Sequence, residues 1–117
     1  HFHLQWKSNL IKKGTYEIAA RINLWNNYLN EIDKRGFFNR SEYANKVRWR
    51  VIVQLLTDND VPISSGEREQ LRICDAYLKK NFLTSDFVWQ EAYIKIFGPE
   101  KFWYLYVTLS NQKSVKL

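Results

Sequence analysis

Ten consecutive residues, Val47-Arg48-Trp49-Arg50-Val51-Ile52-Val53-Gln54-Leu55-Leu56, constrain this chain more than any other stretch. Only Arg48, Arg50 and Gln54 are polar, so as a helix the segment is apolar around most of its circumference. That pattern suits an element with neighbours on several sides. A strand is the competing reading. Val47, Trp49, Val51 and Val53 alternate with Arg48, Arg50, Ile52 and Gln54, and the β-branched residues favour extended chain. Three features favour a helix over 42–57: Ser41 as N-cap, the length of the run, and the lack of an obvious partner strand nearby.

The flanking sequence supplies the neighbours. Ile18, Ile22, Trp25, Leu29 and Ile32 step by 4, 3, 4 and 3, which makes one apolar stripe along a helix over 16–35. Thr15 is placed to cap its start and Gly36 to end it. The stripe is too short for a sustained coiled-coil seam, so it is expected to pack within the domain. Residues 1–13 form a shorter first helix on the row Phe2, Trp6, Leu10, with Gly14 closing it. Asp58-Asn59-Asp60-Val61-Pro62 is turn chemistry. Ser64 and Glu67 have capping-box spacing and open a helix over 65–81 that buries Leu71, Cys74, Leu78 and Tyr77.

Beyond Thr84 two readings compete. Val88, Ala92 and Ile96 form one helical row, and Trp89, Tyr93 and Phe97 form another. The alternative is a β-hairpin at about 93–109, turning at Gly98-Pro99-Glu100-Lys101, because Phe102–Leu109 is aromatic and β-branched. Helix is favoured through residue 97. The expected fold is therefore all-α, a compact bundle of five or six helices, with an α+β chain carrying the C-terminal hairpin as the alternative. Residues 1–109 are expected to form one helical domain and 110–117 a frayed polar tail.

The chemistry-bearing residues exclude more than they indicate. His1 and His3 are the only histidines. A terminal amine, the intervening amides and His3 would suit square-planar Cu(II), but a frayed end is the preferred account. No interior histidine exists to activate Cys74, so it reads as a small core residue. Asp58 and Asp60 resemble the start of a calcium loop, yet Pro62 occupies the third ligand position and the required glycine is missing. Glu91 lacks the second positioned group that acid–base catalysis wants. Asn39-Arg40-Ser41 is a glycosylation sequon in which helix capping already explains the serine. The four glycines are scattered singly, so no phosphate-cradling loop is present. No enzyme and no cofactor or metal are expected.

Charge is the main functional lead. The chain is basic, with a formal net charge of +6, and 16% of its residues are aromatic. Lys34, Arg35, Arg40, Lys46, Arg48 and Arg50 fall within seventeen positions with Glu42 among them. Trp49 stands between Arg48 and Arg50. Arginine beside an aromatic ring suits an acidic protein surface, where these residues dominate binding energy. It also suits phosphate contact and base stacking. The expected function is a non-catalytic protein-interaction domain, regulatory or inhibitory, that binds an acidic partner through these six residues. Nucleic-acid binding is the alternative, and a solvated helix edge is the plain structural account.

One cysteine permits no intramolecular disulfide, which leans toward a reducing, cytoplasmic compartment. No apolar run approaches the roughly 18 residues of a membrane span, and no signal-peptide pattern is visible. The chain contains no methionine, as expected of a processed product or an excised piece from which an N-terminal segment has been removed.

Overall fold

The computed structural model describes the backbone of residues 2–109 and the side chains of 9 and 11–108. The copper reading at His1 and His3, the row Phe2, Trp6, Leu10 and the tail 110–117 lie outside the described residues. The chain order is α1 (Phe2–Arg35), α2 (Arg40–Lys46), α3 (Arg48–Asp58), α4 (Ser65–Asn81), β1 (Phe82–Thr84) and β2 (Val107–Leu109). Two short 3-10 turns, Glu91–Tyr93 and Trp103–Leu105, lie between the strands. The fold is mostly helical, but it has three long helices and one of seven residues, not five or six.

α1 is a single rod of 34 residues, about 51 Å long. The expected break at Gly14 does not occur. Thr15, instead of capping a new helix, turns its Oγ1 back onto the Ile11 carbonyl at 2.9 Å. Gly14 serves a close approach: a Cβ built there would stand 2.9 Å from Val61 Cγ2 and 3.0 Å from Cγ1. The glycine therefore lets the α3–α4 connector touch the helix backbone, at a helix-propensity cost of about 1 kcal/mol. Gly14→Ala is expected to lose about 1 kcal/mol in urea denaturation, because overpacking exceeds the propensity gain. In a Val61→Ala background the same change is expected to gain about 1 kcal/mol. The same sign in both backgrounds would refute the contact.

The apolar stripe of α1 is buried throughout, with Tyr28 joining it. Its first half, Ile18 and Ile22, packs with Val53 and Val61, flanked by Leu56, Ile63 and Leu71. Its second half, Trp25, Leu29 and Ile32, enters a larger aromatic core with Tyr43, Phe38, Phe82 and Tyr104. α3 thus contacts α1 at both clusters, through Val53 in one and Val51 in the other. Gly36, at φ +78°, ends α1 as its position foretells, and its amide bonds the Ile32 carbonyl at 2.9 Å. Ser64 and Glu67 form the complete capping box at the start of α4. Cys74 and Leu78 are buried on that helix, with Leu71 and Tyr77 half-buried.

Segment 42–57 is helical but interrupted. Asn39, not Ser41, caps α2: its side chain accepts the Glu42 amide at 2.9 Å. The helical ladder breaks at Val47 between α2 and α3. The Trp89 indole Nε1 donates to the Ala44 carbonyl at 2.7 Å, the acceptor a continuous helix would offer to the Arg48 amide. A side chain inserted into the ladder in this way bends a helix.

After α4 both sequence expectations fail. Residues 88–97 form turns and not a helix, and 93–97 does not pair with 102–109. Instead β2 returns to pair antiparallel with β1, with Phe82 opposite Leu109 and Thr84 opposite Val107. Ser85 N–H to Tyr106 O (2.7 Å) and Val88 N–H to Leu105 O (2.8 Å) extend the join. Side chains then pin the intervening strap to the helices. Tyr43 OH donates to Tyr104 O at 2.6 Å, and Arg40 Nη2 donates to Phe87 O at 2.7 Å. These long-range bonds outweigh the local helical row.

Candidate interaction surface

The six basic residues separate into two groups. Arg50, expected to reach outward, is buried at 6% exposure. Its guanidinium makes a two-pronged pair with Asp75 (Nε to Oδ1 3.0 Å, Nη2 to Oδ2 2.9 Å). It also lies 4.5 Å from the centre of the Tyr104 ring and reaches Gln54 Oε1 at 3.4 Å. Burial opposes the Arg50 charge, and the Asp75 hydrogen bonds together with the charge interactions of Tyr104, Asp75 and Cys74 more than offset it, holding the group above its ordinary value. Arg35 is bonded to Glu42, approaches Glu31 at 3.6 Å and stacks over Phe37. Its hydrogen bonds hold the Glu42 carboxyl below the usual carboxylate range. Arg40 spends donors on the Asp86 and Phe87 carbonyls.

Lys34, Lys46 and Arg48 remain. Lys34 is exposed on the outer side of α1 with Asn27 and Asn30. Lys46 Nζ lies 5.0 Å from the centre of the half-buried Trp49 ring. Arg48 is exposed. Ile52 and Leu55 follow it at steps of 4 and 3, so the three share one outward row of α3. Ile52 is half-buried and Leu55 exposed. The structure thus leaves a candidate strip on α3, the row Arg48, Ile52 and Leu55, with Lys46 against the Trp49 ring on the neighbouring turn. Lys34 lies apart from it on α1, and Arg35, Arg40 and Arg50 are engaged within the fold.

Ile52 and Leu55 belong to this candidate strip and are missed by charge counting; their period with Arg48 is the signal. The fate of Arg50 also has a trace in the sequence. Asp75 stands at i+4 from Leu71 and i−3 from Leu78, on the apolar side of α4, where a carboxylate calls for a buried cation.

The remaining candidate chemistry is placed as follows. Cys74 is buried, its Sγ 3.5 Å from Asn26 Oδ1, and burial pushes the thiol up to about 11. Asp58 pairs with Lys101 at 3.0 Å, and Asp60 takes φ +69° in the turn that closes α3. Glu91 is exposed in its 3-10 turn. Among the described residues no group of three or more His, Cys, Asp or Glu side chains converges, and no helix is long and apolar enough to cross a membrane. No family model, curated protein or solved structure matches the chain.

Proposed function

We propose that the chain is a non-catalytic protein-interaction domain, regulatory or inhibitory, that binds an acidic partner through the α3 strip. The observation that supports this reading is the row Arg48–Ile52–Leu55 with Lys46 and Trp49 beside it. Arg48 at one end, with the half-buried Ile52 and the exposed Leu55 at the other, combines a cationic anchor with apolar area as protein interfaces do. Nucleic-acid binding is the second reading, favoured by the half-open Trp49 ring with Lys46 over it. It is weaker because three of the six cations are already engaged within the fold, and phosphate affinity depends on free cations.

A photo-crosslinker at Leu55, with one at the exposed Ile73 of α4 as control, tests the proposal in extract of the source cells. A band is expected at 55 and not at 73. Lys46→Glu with Arg48→Glu is expected to weaken it about tenfold while the fold persists, since reversal turns attraction into repulsion. Equal bands at both positions would remove the site. Steeply salt-dependent binding to DNA or RNA by the same strip would replace the protein reading with the nucleic-acid one.

A further inference from the structure

The carboxylates left without an ion pair bear on what the α3 strip binds. Glu17, Glu31, Glu42, Asp58, Glu69 and Asp75 each stand in one. Of the others, Asp33, Asp60 and Glu67 are scattered, and Glu67 is spent on the α4 cap. Asp86, Glu91 and Glu100 fall in one segment, all exposed and in no ion pair among the described residues. Within 86–100 only Lys95 opposes them, so the segment carries a formal −2 in a chain of +6. The same segment exposes Tyr93, Ile94 and Ile96 at 45, 37 and 65%. It is acidic and apolar, whereas Tyr43–Thr57, which bears the strip, contains no Asp or Glu.

The segment is a fixed surface. Trp89 Nε1 bonds the Ala44 carbonyl at 2.7 Å, and Tyr106 OH bonds the Phe97 carbonyl at 2.6 Å. The Tyr93, Ile94, Ile96 and Phe97 amides bond within it at 2.9 to 3.1 Å. A surface already ordered loses little further freedom on binding. Ile96, Gly98, Pro99, Glu100, Lys101 and Phe102 line an open hollow of about 480 Å³, large enough for one arginine side chain. Lys101 is paired with Asp58, so Glu100 is the uncompensated charge on its wall. Apolar walls suit an arginine stem, and a carboxylate suits its head. Within one chain the two surfaces do not cover each other, because Arg48, Leu55 and 90–96 are all exposed. They do adjoin: Trp89 ties the segment to Ala44, one helical turn before Arg48. Two copies about a twofold axis offer strip to segment and segment to strip at once, the reciprocity of an isologous pair.

Resting on the α3 reading, we infer that the acidic partner is a second copy of this chain. Its segment Asp86–Glu100 seats on the strip, Glu91 and Glu100 meeting the cations while Tyr93, Ile94 and Ile96 cover Ile52 and Leu55. The test is sedimentation velocity of the whole chain at rising concentration and low ionic strength, where charge pairing is least screened. Dimers are expected. Lys46→Glu with Arg48→Glu sets acid against acid, and Glu91→Lys with Glu100→Lys sets base against base. Each pair is expected to weaken association about tenfold or more. Mixed together, the two variants are expected to associate as the parent does, because each strip then meets a segment of opposite charge. Circular dichroism checks that both fold. A photo-crosslinker at Ile96 of the parent needs no charge variant, and its linked peptide is expected to contain α3. A parent chain that stays monomeric overturns the inference but spares the α3 reading, provided position 55 still crosslinks a foreign protein. A mixture that associates no better than its components, or a linked peptide outside α3, also overturns it. Dimers indifferent to the α3 reversal, with position 55 uncrosslinked, remove both readings.

Discussion

Replacing Arg50 with alanine is expected to cost about 3 kcal/mol of folding stability, because it removes the buried partner of the half-buried Asp75 carboxylate. Arg50 is 6% exposed, donates to both Asp75 oxygens and covers the Tyr104 ring, so its loss also opens packing. Lysine does not rescue the site, since it lacks the planar fork that holds both oxygens at once. Removing both charges is expected to be far milder. Arg50→Met with Asp75→Leu should recover most of the loss, as buried pairs replaced by apolar residues often do. Urea denaturation of the two singles and the double decides the matter. A loss below about 1 kcal/mol for Arg50→Ala would mean that solvent reaches the pair and that the guanidinium is a surface group after all.

The second large effect appears at high pH. Burial pushes the hydroxyls of Tyr28, Tyr43 and Tyr104 above their ordinary value and lifts the Cys74 thiol to about 11. Each group keeps its proton in the folded state and releases it sooner when unfolded. Folded pKa values raised in this way give stability that is complete below the unfolded pKa and is lost as pH climbs. The loss begins near pH 8.5 to 9 with Cys74 and steepens above about pH 10 as the tyrosines join. Three retained protons correspond to a slope of about 4 kcal/mol per pH unit. Urea midpoints between pH 8 and pH 11 measure it. Tyr28→Phe and Tyr104→Phe should each flatten the slope by about 1.4 kcal/mol per unit. Neither change removes a hydrogen bond, because both hydroxyls lack a partner among the described residues. A flat profile to pH 11 would show that these rings ionise freely in the folded chain.

What the sequence made legible follows from how local its causes are. The α1 stripe, Gly36 after its last turn and the Ser64–Glu67 box are set by residues within a turn or two of one another, and all three stand in the structure. The helical state of Arg48–Leu56 was also legible, through length and apolar density. Gly14 was misread because a glycine that ends a helix and a glycine that admits a neighbour look alike until Val61 is in place. Segment 88–97 was misread because its helical row is overruled by bonds to Ala44, Leu105 and Tyr106. Arg50 shows the same limit at the surface strip. Six cations close in sequence divide by which of them meets a carboxylate or carbonyl brought from elsewhere, and Asp75 lies 25 positions away. The strip that remains was half legible: Arg48 and Lys46 from charge, Ile52 and Leu55 from a period that charge counting passes over.

The break at Val47 is held from a distance. The indole that takes the Ala44 carbonyl comes from a residue 45 positions later, so the strap and the helix together fix where the outward row begins. Strengthening helix propensity around Val47 would act on a segment whose course is imposed across the molecule. Removing the Trp89 indole is expected to return the Ala44 carbonyl to the helix and so to shift the start of the row Arg48, Ile52 and Leu55.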